Sequence, residues 1–412
     1  MHGNQEIPVL PVAVRKQRAG GGTRKDNPLM HSAGKWDCRV VPVKVPNNRC
    51  KAAEGLEGRR RIKENAMNEH TSRTQDRAIA STVLNQIYEE DFLGFSYGFR
   101  PGRSAHDALD ALTAAIITKK VSWILDADIK SFFDNISHEK LMELVELRIA
   151  DPRVLRLISK WLKAGVSEEG QWSETKVGTP QGAVISPLLA NIYLHYVLDR
   201  WVIQWRKEHT KGDVIIVRYA DDFVMGFQYP DDAERFLKQL KERMAEYGLE
   251  LHSEKTRLIQ FGRFAAENRK RDGAGKPETF DFLGFTHICG TIWKSGKFTV
   301  HRKTAGKRMT AKLKDLSAKL SKRAHDPIAE TGTWLTQVVR GYFNYHAVPG
   351  NLRRLYVFRR ELARHWLLKL RRRSQRNRWT CERFEKLVNQ YLPAPAVLHP
   401  HPLDRFCAKH PR

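Results

Sequence analysis

Tyr219-Ala220-Asp221-Asp222 stands between two short apolar runs, Val214-Ile215-Ile216-Val217-Arg218 and Phe223-Val224-Met225-Gly226-Phe227. Runs rich in β-branched and aromatic residues read as strands, so the tetrapeptide reads as the tip of a hairpin. Two adjacent carboxylates repel each other unless a cation sits with them. Hard divalent cations such as Mg²⁺ take oxygen ligands, and a pair of them about 3.5–4 Å apart can clamp a phosphoryl transfer. An isolated Asp-Asp is more often a polar turn, because Asp is a common turn residue. The hairpin alone leaves both readings standing.

A second acidic strand shifts that balance. From Trp123 to Ile129 the chain alternates. Trp123, Leu125, Ala127 and Ile129 share one face, and Ile124, Asp126 and Asp128 share the other. Asp128 on this strand and Asp221 with Asp222 on the hairpin supply three oxygen donors. That is the minimum equipment for two metal ions.

Further segments flank these two in a fixed order. Ser96-Tyr97-Gly98-Phe99-Arg100-Pro101-Gly102-Arg103 precedes Asp128-Ile129-Lys130-Ser131-Phe132-Phe133-Asp134. Gly178-Thr179-Pro180-Gln181-Gly182 leads into Ser186-Pro187-Leu188-Leu189-Ala190-Asn191, and Glu254-Lys255-Thr256 and Phe282-Leu283-Gly284-Phe285 follow the hairpin. Together they resemble the reverse transcriptase of a bacterial group II intron, the intron-encoded maturase, from about Asp76 to the C-terminus. The resemblance implies an α+β, right-hand polymerase palm with incomplete fingers, plus a helical basic thumb and maturase domain.

Three segments follow from this reading. Residues 1–75 hold Gly20-Gly21-Gly22, scattered prolines and Arg59-Arg60-Arg61 without a sustained period. They are expected to be poorly ordered or divergent. The family's early fingers stretch is not recognisable there. Residues 76–300 would form the fingers and palm, and residues 301–412 the thumb and maturase RNA-binding domain. Helices are expected at Ala78–Tyr88, Ala105–Thr118, Glu139–Ile149, Val154–Lys163 and Asp232–Tyr247, and from Pro187 toward Trp201.

The resemblance also assigns roles. Asp128 and Asp221 would hold two Mg²⁺ ions, with Asp222 assisting and the Ile129 carbonyl as a further ligand. Phe133 would lie under the sugar of the incoming nucleotide and clash with a 2′-hydroxyl, the group that distinguishes RNA from DNA. Gln181 would sit near the nascent base pair, and Arg100 would contact the triphosphate or template. Lys255 would protonate or neutralise the pyrophosphate leaving group. Each has a plainer alternative: a core aromatic for Phe133, a Gly/Pro turn around Gln181, a surface loop for Arg100, a solvated lysine for Lys255.

Charge supports a polyanionic partner independently. The net charge is +26. It is segregated: residues 1–75 balance at +8, residues 76–300 at −1 and residues 301–412 at +19, the last with 26 basic and 7 acidic side chains. Leu352, Leu355, Phe358, Leu362, Trp366 and Leu370 recur at helical spacing, with Arg353, Arg354, Arg359, Arg360 and Arg364 around them. An apolar stripe packs inward and its arginines are left for RNA phosphates. Tyr342 and Tyr345 suit either stacking on bases or core packing.

The expected partners are therefore group II intron RNA, a DNA primer or target, and deoxynucleoside triphosphates. No apolar run is long enough for a bilayer, so no membrane partner is expected. Five cysteines without a Cys-x-x-Cys pair disfavour a zinc ribbon and suit a reducing, cytoplasmic setting. No segment of the His-Asn-His nuclease type follows the maturase-like tail, so DNA cleavage by such a domain is not expected. An RNA-binding splicing cofactor with an inactive polymerase is the alternative function, because the early fingers motifs are missing.

Overall fold

The computed structural model describes residues 79–163, 166–168, 171–173, 178, 185–292, 295–373 and 379–410. The expected divergent segment 1–75 and Gln181 lie outside the described residues.

Chain order runs through α1 (79–89), α2 (Ala105–Thr118), β1 (Trp123–Asp128), α3 (Phe132–Asn135), α4 (His138–Glu146) and α5 (Pro152–Lys163). A small hairpin follows, β2 (Val166–Glu168) with β3 (Gln171–Ser173). Next come α6 (Ser186–Leu194), a π-helical stretch (His195–Asp199), α7 (Arg200–His209), β4 (Val214–Tyr219), β5 (Asp222–Phe227), α8 (Pro230–Glu246), β6 (Arg257–Gln260) and α9 (Ala265–Arg271). Then β7 (Phe280–Phe282), β8 (Phe285–Thr291) and β9 (Phe298–Thr304) form a meander. Five helices close the chain: α10 (Gly306–Lys322), α11 (Ile328–His346), α12 (Leu352–Arg372), α13 (Cys381–Tyr391) and α14 (Pro402–Lys409).

The palm is a four-stranded sheet in the order β4-β5-β1-β6, antiparallel at every junction. Its side chains alternate between two cores. Leu125, Ala127, Ile216, Phe223, Met225 and Phe227 pack with helices α4 to α8 on one face. Ile124, Ile215, Val217, Val224 and Ile259 pack with α2 and the β7–β9 meander on the other. Burying each of the larger side chains, the Leu, Ile, Val, Met and Phe residues, is worth about 1.5–3 kcal/mol. Strands buried on both faces have fixed register, because a one-residue slip would exchange the two cores.

The helical C-terminal region has its own core. Leu355, Phe358, Leu362, Trp366 and Leu370 of α12 are all buried, as the spacing anticipates, and Leu352 is half-buried. Tyr342 stacks on Phe358 with ring centroids 3.7 Å apart, and Tyr345 donates its hydroxyl to the Leu283 carbonyl at 2.8 Å. Both tyrosines are therefore packing groups rather than base platforms.

Two expectations need correction. The boundary at residue 300 cuts β9, whose ladder with β8 runs on to Thr304. The charge step precedes the true start of the helices at Gly306 because β9 already carries Arg302 and Lys303. The spacing of Ile79, Val83, Leu84 and Ile87 in the helix expected at Ala78–Tyr88 reads as one apolar side, but that stripe does not form in α1. Leu84 and Tyr88 are buried, whereas Ile79 and Val83 are exposed.

Candidate active site

Pairing of β1 with β5 places Asp128 directly opposite Asp222. Pairing of β5 with β4 places Tyr219 opposite Asp222, leaving Ala220 and Asp221 as the turn. The acidic face is the one that carries Ile124 and Val224 deeper in the sheet, as alternation requires. The β1 strand and the hairpin are thus neighbours, and the ladder adds the register, which the alternation alone left open.

The carboxylates perturb one another. Burial raises Asp222 to about 7, with Asp126, Asp221 and Asp128 adding to the rise and Arg308 opposing it. Asp221 is raised by burial and by Asp128. Burial lifts Asp126 to about 6 despite Arg257, which lies 3.6 Å away. Such a cluster asks for a cation. Lys255 supplies one: its Nζ lies 2.8 Å from Asp128 Oδ2. Among the described residues no group of three or more His, Cys, Asp or Glu side chains is preassembled as a metal cage. The donors do fit magnesium, being hard oxygens of excess negative charge on adjoining strands.

A stability prediction follows from Asp222. Its folded form keeps a proton up to about 7, whereas an unfolded carboxylate loses it near 4. Between those values the folded state binds more protons, so this group makes stability fall as pH rises. Without divalent metal, Asp222→Asn should flatten that slope. Melting temperatures compared at pH 5 and 8 in a chelator should diverge in favour of the variant. Parallel profiles would contradict the raised value.

The other expected site residues divide. Phe133 is half-buried in α3, edge-on to the buried Phe132 ring at 5.4 Å. Gly178, with φ 93°, lies against Phe133 and Asp134, and its N–H bonds the Ile136 carbonyl at 2.9 Å. This fixes the start of the Gly178-Thr179-Pro180-Gln181 segment next to Phe133. Arg100 does not reach the site. Its guanidinium is buried, paired with both Glu89 oxygens at 2.6 and 2.9 Å, and donates to the Leu93 and Ser96 carbonyls. The arginine that was expected to contact the triphosphate or template instead ties the loop to α1.

On α12, Arg353, Arg354, Arg360 and Arg364 are exposed. Arg360 and Arg364 share Glu361. Arg359 donates to the Leu392 carbonyl at 3.1 Å and to Asn389 at 3.0 Å, so it docks α13. A groove of about 680 Å³ between α12 and α13 is lined by Arg353, Arg360, Arg371, Tyr356 and Trp379 among others.

Sequence reasoning missed a buried group behind the hairpin. Arg218, inside the apolar run of β4, pairs with Asp199 at 2.5 and 2.7 Å, and both side chains are fully buried. A lone arginine in an apolar strand was the available signal.

A family model described as reverse transcriptase (RNA-dependent DNA polymerase) matches residues 67–287, more than half of the chain. The chain belongs to the reverse transcriptase family. Its relatives include the group II intron-encoded protein LtrA of Lactococcus lactis subsp. cremoris, 48% identical over 31% of this chain and 21% of that protein. An uncharacterised 91 kDa protein in the cob intron of Schizosaccharomyces pombe is 35% identical over 52% of this chain and 27% of that protein. Protein YkfC of Escherichia coli is 35% identical over 37% and 48%. The chain thus spans less than half the length of each of these relatives. An intron-encoded relative at 48% identity agrees with the resemblance drawn from the motifs, and the α+β palm beside a helical region agrees with the expected fold class.

Proposed function

We propose that this chain is an RNA-directed DNA polymerase of a group II intron that also binds the intron RNA to assist splicing and mobility. The observation that carries the proposal is Asp128 facing Asp222 across β1 and β5, with Asp221 in the adjoining turn. The reaction joins a primer 3′-oxygen to the α-phosphorus of a deoxynucleoside triphosphate and releases pyrophosphate. Asp128, Asp221, Asp222 and the Ile129 carbonyl are the groups that would hold two Mg²⁺ ions. Bound there, the ions would supply charge stabilisation to the attacking and leaving oxygens.

This chain's residues do the rest. Lys255, whose Nζ lies 2.8 Å from Asp128 Oδ2, would give a proton to the departing pyrophosphate. Phe133, half-buried in the short α3 that follows β1, would exclude a 2′-hydroxyl. Gln181 would meet the nascent pair on the segment that Gly178 anchors. Arg353, Arg354, Arg360 and Arg364 would take intron RNA phosphates. A reducing, cytoplasmic setting belongs to the same proposal, since Cys289, Cys381 and Cys407 are free thiols.

Phe133→Ala should let ribonucleotides in. The ratio of deoxy- to ribonucleotide incorporation is expected to fall by about 10–100-fold, the scale on which one steric group in a pocket discriminates between substrates. An unchanged ratio would make Phe133 a packing residue only. The whole proposal is tested by assaying one preparation for both primer extension on RNA and assisted intron splicing. Splicing without any extension would hand the chain to the cofactor reading.

A further inference from the structure

Behind the catalytic turn lies a buried polar clamp drawn from four separate segments. Arg218 on β4 donates Nε and Nη2 to Asp199 of the π-helical stretch. Its Nη1 donates to Asn191 Oδ1 on α6 at 3.0 Å and to the Ala220 carbonyl in the turn at 2.9 Å. Asn191 Nδ2 in turn donates to the Gly98 carbonyl at 2.7 Å. Gly98 itself presses on the turn: a Cβ there would lie 2.3 Å from the Ala220 nitrogen. Backbone bonds from Tyr97 N to Arg218 O and from Arg218 N to Phe95 O lace the same loop to β4, each at 2.9 Å.

Three features of the clamp point to the turn rather than to general stability. First, Ala220 has φ 58°, a left-handed conformation that costs a non-glycine residue about 1–2 kcal/mol. Such strain persists only where the surroundings over-determine it. Second, the α6–α7 helix is interrupted by one π-turn, a feature often found at functional sites. Asp199 closes that turn and is fully buried. Third, a buried Arg–Asp pair is weak evidence for stability, because desolvation offsets its attraction. Holding a geometry is the use that remains.

We propose that Arg218, Asp199 and Asn191, with Gly98 as backstop, are positioning residues that hold the Ala220 turn so that Asp221 meets its metal ions in fixed geometry. The inference rests on the proposed polymerase reading. Asp199 orients the guanidinium, Arg218 fixes the Ala220 carbonyl, and Asn191 locks the Gly98 loop against the turn. Asp221 is the next residue and inherits the set of the backbone.

Two variants of the full chain test this. Arg218→Lys keeps a positive charge beside Asp199 but loses the bond to either Asn191 or Ala220. Gly98→Ala lies in a loop, leaves every buried charge in place, and forces the turn to shift. Both should lower kcat for single-nucleotide extension by about 10–100-fold, the usual cost of removing a partner that orients a ligand. KM for the nucleotide should stay within about twofold. Mn²⁺ binding to the protein alone, read by electron paramagnetic resonance, should weaken in parallel, and Gly98→Ala should stay folded at the assay temperature by circular dichroism although the clash lowers its melting temperature. Wild-type Mn²⁺ affinity and kcat in folded Gly98→Ala would overturn the clamp, as would a normal kcat in Arg218→Lys. If the wild type itself extends no primer, the polymerase reading fails instead, and Mn²⁺ binding still judges the clamp.

Discussion

Asp221→Asn is expected to lower primer extension by at least about a thousandfold while leaving RNA affinity within about twofold. The amide keeps the shape of the carboxylate and removes the anionic ligand. A metal ion contributes several kcal/mol of transition-state charge stabilisation, and each 1.4 kcal/mol is a factor of ten. Asp221 sits in the turn beside Asp222, where burial and Asp128 already raise its pKa. Neutralising it therefore relieves repulsion, and the folded state should not suffer. On the proposed reading, RNA affinity rests on the +19 block of residues 301–412. A large loss of RNA binding in this variant would contradict that division of labour.

Neutralising Arg353, Arg354, Arg359 and Arg360 together is expected to weaken RNA binding and flatten its salt dependence. Each phosphate that is no longer neutralised lowers the slope of log affinity against log salt by about 0.7–0.9. The structure refines the expectation. Arg359 holds α13 through Leu392 and Asn389, so at most the other three arginines should count toward the slope. Restoring Arg359 in the quadruple variant should recover melting temperature more than slope. Assisted splicing should fall further than extension of a short annealed primer, whose grip lies in the palm. A salt slope equal to wild type would mean that these arginines face only solvent and protein.

Features that were legible in the sequence are those set by short-range periodicity. The alternation around Asp128 and the β-branched runs around Tyr219 fix which side chains share a face, and the register follows once both faces are buried. The α12 stripe was legible for the same reason, since period 3.6 over five turns leaves one way to pack. Residues whose roles depend on distant partners were not. Arg100 stands in a Gly/Arg turn that looks exposed, yet its partner Glu89 is eleven residues upstream on another element. Arg218 and Asp199 are nineteen residues apart on different elements, Asp199 at the end of the π-helical stretch.

Turn chemistry explains another gap. Phe282 pairs with Phe285, leaving Leu283 and Gly284 as a two-residue loop, both with positive φ. Glycine suits that geometry, but leucine does not signal it. The Tyr345 hydroxyl and the Ala305 amide, bonded to the Leu283 and Gly284 carbonyls, hold it in place from outside the hairpin. The β7–β8 connection is thus a strained turn braced by α11 and the start of α10.

The most direct test of the account is a Mg²⁺ titration of single-nucleotide extension by the wild-type chain, with a DNA primer on an RNA template. Two ions on Asp128, Asp221 and Asp222 predict no product in chelator and a rate that rises with an order in Mg²⁺ above one. Deoxynucleotides should be used in preference to ribonucleotides. A folded preparation that binds the RNA template, yet forms no product at any Mg²⁺ concentration, would contradict it.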